Sequence, residues 1–373
     1  MTTHSSPPPT RARSLRPALL ASVFYLQIVH SALSETKLET RYQYYQEDDG
    51  RMRVDSDYSL FSIDLSDTVL LDGTLLYSAL SGASPTGVPP SRPGGRIPTV
   101  HLEDERYAMS LGVTTQLGAH SVKVGSSVSY ESDYLSLGAS LQDTISLNEK
   151  NTELVMGFAF TNDSVGANGT DLDATKRSYD GLIGINQVLG PDTLLNFNVG
   201  LGLKRGYLSD PYKRALIDDE VYYEERPDQK FEQIIFTQLT HFFDSIDASV
   251  ELSYRFGHND QGIVSNTAMI AFYKNLFDKK FVIRPSFRFY DQSAADYYAT
   301  EFTGDPTYFS ADYRVSAEQT FNLGLQLKWN LVPDKVALDL GYERYITRGT
   351  DGVTSQNAYP DAHSITAGIR VKF

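Results

Sequence analysis

Five histidines lie beyond residue 34: His101, His120, His241, His258 and His363. Imidazole is the usual general base and metal ligand at neutral pH, so the neighbours of each histidine decide what chemistry is open to it. His101 stands near Glu103, Asp104 and Glu105, and His258 is followed by Asn259 and Asp260. Neither group has the His-pair spacing of a zinc site. The stretch "QEDDGR" (Gln46 to Arg51) offers carboxylates and a glycine, but not the ligand spacing of a calcium loop. The chain has no cysteine, which removes thiolate ligands, thiol nucleophiles and disulfides together. No glycine-rich phosphate cradle occurs. These residues predict no catalytic centre, no metal site and no cofactor, and the chain reads as a non-enzyme.

Charge and length narrow the alternatives. With 33 basic against 47 acidic residues the net charge is −14, so no basic stripe is available to neutralise phosphates and nucleic acid is not an expected partner. A chain of 373 residues suits two soluble domains or one large all-β domain. No apolar run reaches the length of a membrane-spanning helix. That leaves open a transmembrane barrel, whose alternating residues average to neutral hydropathy. Arg11, Arg13 and Arg16 precede the apolar "PALLASVFYLQIV", and Ala32 and Ser34 flank a cleavage point. This order predicts a signal peptide over residues 1–34 and an exported domain over 35–373.

The elements beyond residue 35 alternate with period two. In "LNFNVGLGLK", Leu195, Phe197, Val199, Leu201 and Leu203 share one face, while Asn196, Asn198, Gly200, Gly202 and Lys204 share the other. "ASVELSYRFG" and "FNLGLQLKWN" repeat the pattern. About sixteen such segments are expected, beginning near residues 36, 53, 68, 104, 121, 134, 152, 177, 193, 229, 247, 262, 280, 315, 335 and 362, although those at 53, 229 and 262 alternate poorly. Tight turns such as "LSDT", "LGAH", "NEKN" and "LGPD" fall at every second junction. The intervening junctions hold the long connections, at 81–103, 162–176, 206–228, 293–312 and 346–361. The fold class predicted is an all-β, antiparallel, up-and-down transmembrane barrel of the bacterial outer membrane, with short periplasmic turns and long extracellular loops. The closing "HSITAGIRVKF" resembles the carboxy-terminal strand that outer-membrane proteins present to the barrel assembly machinery, which makes that machinery an expected partner, together with outer-membrane lipid and lipopolysaccharide.

Parity then sorts the side chains. Lys37, Glu39, Arg41, Arg106, Lys123, Glu153, Lys204, Glu251, Arg255, Arg284, Arg288, Lys328, Asp339, Glu343 and Arg370 are expected to line the lumen, because each would cost several kcal/mol facing lipid. They serve either as rings of charge along an aqueous channel or as a salt-bridge lattice that stiffens the wall. Closure of the first strand on the last would bring Glu39 near Arg370. Tyr42, Tyr44, Tyr58, Tyr77, Tyr107, Tyr130, Tyr254, Trp329 and Tyr342 gather near strand ends, as rings at a lipid–water boundary do. The stretch "SGASPTGVPPSRPGGRIP", with Pro85, Pro89, Pro90, Pro93 and Pro98, predicts an outward loop folded over the mouth without pairing at a sheet edge.

Four stretches carry a resemblance: "SGASP" (Ser81 to Pro85), "RYQYYQE" (Arg41 to Glu47), "YYEERPDQ" (Tyr222 to Gln229) and "FRFYDQSAADYY" (Phe287 to Tyr298). The chain resembles an uncharacterised family of bacterial outer-membrane proteins catalogued as a domain of unknown function. The resemblance implies an outer-membrane barrel and supplies no substrate. The family's gene neighbourhoods, with thioredoxin-like and flavin-transferring proteins, imply a periplasmic redox or lipoprotein partner. On the strand map all four stretches fall at the outer mouth, where Arg41, Tyr44, Ser84, Arg226, Arg288, Tyr290, Gln292 and Tyr298 form a candidate polar–aromatic site. The expected function is porin-like passage of small hydrophilic solutes or ions. The alternatives are a non-conducting docking barrel and, more weakly, a lipid-modifying enzyme at the rim.

Overall fold

The computed structural model describes residues 35–92 and 95–373. The expected signal peptide, and Pro93 and Gly94 of the proline-rich stretch, lie outside the described residues. The strands are β1 (Thr36–Glu47), β2 (Arg53–Ser66), β3 (Val69–Pro85), β4 (Thr99–Leu117), β5 (His120–Tyr130) and β6 (Tyr134–Leu147). They continue with β7 (Thr152–Val165), β8 (Ala174–Gly190), β9 (Thr193–Gly206), β10 (Arg214–Ile217), β11 (Glu220–Tyr223) and β12 (Gln229–Phe243). The last six are β13 (Ala248–Asn259), β14 (Val264–Leu276), β15 (Phe281–Gln292), β16 (Glu318–Val332), β17 (Val336–Gly349) and β18 (Ala362–Lys372). Sixteen of them close into one antiparallel barrel in chain order, and β10 and β11 form a separate hairpin within the loop between β9 and β12.

The seam joins β1 to β18, with Glu39 opposite Arg370. Closure satisfies the backbone groups of both edges, which a bilayer would otherwise leave unpaired. Residues opposite each other in the ladders point to the same side, so the register defines two faces. Leu75, Met109, Val124, Leu141, Phe158, Ile183, Leu201, Leu252, Leu323 and Ile365 are exposed on the outer one. Aromatic pairs bound this apolar band on β15 and β16: Phe289 with Phe321 towards the loops, and Phe281 with Trp329 towards the turns. Eight residues separate Phe321 from Trp329, about 27 Å of strand, or about 21 Å vertically at the usual tilt, close to the height of a barrel's apolar belt.

Three details differ from the sequence reading. Ser81 to Pro85 does not loop out: it continues β3 and pairs with Thr99 to Glu103 of β4, so the loop proper is 86–98. The hairpin keeps its ladder beyond the membrane, and Pro85 ends it where no further donor is needed. Tyr58 faces inward opposite Arg41, not towards lipid. The β10–β11 hairpin has no counterpart in the predicted strands, because four-residue strands are too short to show alternation.

Candidate functional site

The inner wall carries all fifteen residues predicted for it, and most are paired. Arg370 donates to Glu39 at 2.9 Å, Arg41 donates to the other oxygen of Glu39 at 2.8 Å, and Asp339 lies 3.7 Å from Arg41. Lys123 donates to Asp72 at 2.6 Å, Lys204 lies 2.7 Å from Glu232, and Arg284 lies 3.8 Å from Glu251 while facing the Tyr273 ring. Arg106 reaches Glu131 at 3.5 Å, and Glu153 accepts from Asn186 at 3.0 Å. Glu343 accepts from Tyr345. Arg255, Arg288 and Lys328 face inward from β13, β15 and β16 with no ion pair among the described residues. A salt-bridge lattice therefore lines the wall, and it leaves several of its charges open to solvent. The side chains of Lys37, Arg106 and Arg370 point inward and remain 53%, 49% and 46% exposed. Charged groups in a dry interior would not be left so accessible.

The outer mouth is different. Lys213, in the β9–β12 loop, donates to Ser84 Oγ at 3.0 Å and to the Pro85 carbonyl at 2.5 Å, at the end of β3. β3 and β9 are six strands apart around the wall. In a sixteen-stranded barrel of about 16 Å radius that separation spans nearly the full diameter, so the loop crosses the mouth. The β15–β16 loop meets it there: Phe302 N donates to Leu216 O at 2.9 Å, and Phe309 exchanges backbone bonds with Glu225. Ala215, Ile217, Phe309 and Ala311 form a small dry core between the two loops, with Phe302 packed against it. Gly87 of the β3–β4 loop has φ +102°, and a Cβ there would stand 2.4 Å from Arg214 O and 3.1 Å from Ala311 O. Three loops thus converge on a residue that has no room for a side chain.

A cluster of charge, buried at Lys213, Glu224 and Asp312 and open to solvent at Arg314, ties these loops together. Glu224 accepts from Ser310 Oγ and from Asp210 N, both at 2.5 Å, and its carboxylate faces Arg226 at 2.8 Å. Asp312, 1% exposed, accepts from Arg226 at 2.9 Å and from Arg314 at 2.8 Å, with Lys213 at 3.9 Å. Arg314 continues to Asp210. Three cations meet three anions, so the cluster is neutral and every charge has a partner. Burial alone would raise the Asp312 pKa, but Arg314, Lys213 and Arg226 hold it down to about 2. Burial dominates at Lys213, whose ammonium falls below the ordinary lysine value, and at Glu224, whose carboxyl rises above the usual range.

Of the eight residues of the candidate mouth site, most reach this cap. Ser84 and Arg226 join it through Lys213 and Asp312. Gln292 donates to the carbonyls of Ser316 and Arg314 at 2.7 and 3.0 Å, and accepts from Tyr290, over whose ring Arg288 lies at 5.7 Å. Tyr298 bonds Thr354 of the last loop at 2.5 Å. Arg41 stays below, in the lattice of Glu39 and Asp339. Tyr44 lies opposite Ile365 on the lipid side, under Arg53 at 5.0 Å, and does not share the site. Sequence reasoning missed Lys213, Glu224 and Asp312, the centre of the cap. Their only signal was the recurrence of opposite charges in two long loops, "YKR" and "EER" in one and "ADYR" in the other.

The clusters around histidine disperse. Asp104 joins Glu131 and Asp133 instead of His101, with donor oxygens within 4.8 Å of one another, the spacing of a cation site. Asp133 accepts from Tyr212, and Asp104 accepts from Glu105 N at 2.8 Å, so the loop itself uses these oxygens. His363 lies at the outer rim between Tyr342 at 2.6 Å and Arg344 at 2.7 Å.

The fold matches those of solved outer-membrane barrels at low sequence identity. A bacterial polysaccharide outer-membrane secretin aligns with a TM-score of 0.50 and 10% identity, over 92% of this chain and 98% of that one. A loop-deletion mutant of OmpT, an outer-membrane protein of Vibrio cholerae, gives 0.46 and 9%, over 92% and 100% of the two chains. OpdK of Pseudomonas aeruginosa with vanillate gives 0.46 and 11%, over 91% and 98%. The likeness to the secretin shows the fold of an outer-membrane type of barrel. No curated protein matches the sequence. Residues 18–373 match the family described as "Protein of unknown function (DUF3570)", and the chain belongs to that family.

Proposed function

We propose that the barrel passes small hydrophilic solutes or ions through its lumen, and that its loops hold the outer entrance closed in this conformation. The observation that carries the reading is the contrast along the axis. Inward charges at the turn end, such as Lys37 and Arg370, are about half exposed, whereas Lys213 and Asp312 at the loop end are 3% and 1% exposed. Water-accessible charge below a folded cap is the arrangement of a conduit with a closed door. Displacement of the β9–β12 loop, which bridges to β3 through Lys213, would open it. Planar-bilayer recording tests this: the wild-type protein is expected to open rarely, and a variant lacking residues 210–226 to open in long steps. Silence from both, with the barrel folded, rejects passage. A second reading is favoured by the completeness of the charge cluster: a barrel whose cap never opens, and whose turn end docks a periplasmic redox or lipoprotein partner. Silence together with a crosslinked partner at the turns would establish it.

A further inference from the structure

At the loop end of the outer face, one row departs from the pairing of strand cations with carboxylates seen elsewhere there among the described residues. Arg53 has Asp55 at 2.7 Å, and Arg344 has Asp48 at 2.7 Å. On β8 and β9, Arg177 stands directly opposite Arg205, flanked by Asn162 on β7 and Gln229 on β12. The four form one line across four strands. Like charges in direct cross-strand register are destabilising. Each arginine donates its Nε to a neutral amide, to Asn162 at 3.3 Å and to Gln229 at 3.1 Å. Both are exposed and, among the described residues, neither forms an ion pair.

The residues next to this row define what would neutralise it. One step towards the turns, Phe160 and Tyr179 pack at 5.1 Å and mark the edge of the apolar belt. One step further, Phe158, Gly181 and Leu201 lie side by side. Gly181 has nothing within 4 Å of where a Cβ would stand. The resulting notch, about 490 Å³, is lined by Leu141, Met156, Phe158, Ile183, Val199 and Leu201, with Asp143, held by His120 at 2.7 Å, at its end towards the turns. Four residues of β8 separate Gly181 from Arg177, about 13 Å. A double positive charge at the lipid–water boundary therefore stands above an apolar notch of acyl-chain character, on the side of the long loops.

We propose that this face binds a phosphorylated glycolipid of the outer leaflet, with its phosphate on Arg177 and Arg205 and an acyl chain in the notch over Gly181. The charge complementarity selects an anionic head group over a zwitterionic one, and the notch selects a lipid over a free anion. The site holds whether or not the lumen conducts.

The test is binding of bis-phosphorylated lipid A to the purified full chain in neutral detergent, followed by native mass spectrometry. The R177Q/R205Q variant is expected to bind about 30-fold more weakly. K150Q/K279Q, which removes two cations from the opposite end, keeps wild-type affinity. R177K/R205K retains most of the binding, and G181L, for which there is room, weakens it without unfolding the barrel. Heat-modifiable mobility on gels confirms folding of each. The proposal is overturned if R177Q/R205Q binds like the wild type, if dephosphorylated lipid A binds equally well, or if millimolar inorganic phosphate alone displaces all the lipid.

Discussion

Replacing Asp312 by asparagine keeps the shape of the side chain and removes its charge from the centre of the cap. Asp312 accepts hydrogen bonds from Arg226 and Arg314 and faces Lys213, all beneath a surface that leaves it 1% exposed. In the D312N protein these three cations face only Glu224 and Asp210, an excess of one positive charge in a cluster whose Lys213 and Arg226 are largely buried and whose Arg314 is half exposed. Removing one partner from a buried ionic network costs about 3–5 kcal/mol. The loss falls on the closed state of the cap, because the charges become solvated when the loops part. At a factor of ten per about 1.4 kcal/mol, the open population rises by about 10² to 4 × 10³. Limited trypsin digestion of folded protein reads this directly, since Lys213 and Arg214 lie within the cap and cleavage follows the open population when reclosing is fast. Cleavage at these sites should accelerate by that factor, while thermal unfolding of the barrel hardly moves. An unchanged cleavage rate would refute the view that this cluster closes the mouth. Unfolding of wall and cap together would refute their independence.

Four further outcomes follow from the same structure. Asp312 titrates at about 2 in the folded chain against about 3.9 in an unfolded one, so its contribution of about 2–3 kcal/mol is present above pH 4 and lost as pH falls from about 4 to 2. Hydrogen exchange over residues 295–317, corrected for the intrinsic rate, should accelerate in that window. Gly87→Val places a Cβ against Arg214 O at a positive φ and should loosen the cap by about 1–3 kcal/mol, seen as faster trypsin cleavage at Lys213. Leu325→Lys puts a charge on the lipid face between the Phe321 and Trp329 levels and should cost about 2–4 kcal/mol in urea titrations of vesicle-inserted protein. Glu39→Gln frees Arg41 and Arg370 on a partly exposed wall, so stability should change by less than about 1 kcal/mol while the reversal potential in a salt gradient shifts towards anions.

Much of the wall was legible in the sequence because the bilayer sorts residues one at a time. Period two in β9, β13 and β16 reports the two faces without any tertiary contact, and the spacing of tight turns kept the count of strands correct even for β2, where Tyr58 and Leu60 point inward and blur the pattern. The fifteen inward charges followed from parity for the same reason. Their partners did not, apart from Glu39 and Arg370, which barrel closure alone brings together.

The mouth was decided only by tertiary structure. Lys213 finds Ser84 and Pro85 across 128 residues of chain, and Arg226 finds Asp312 across 86. Loops lie outside the lipid, so no solvent boundary imposes a pattern on them, and which loops meet depends on the circumference that sixteen closed strands create. Tyr44 shows the converse: placed near the mouth by position, it was turned outward by the register of one strand. The Arg177–Arg205 row likewise needs the stagger of two ladders, a quantity set by how the sheet closes and carried by no single segment.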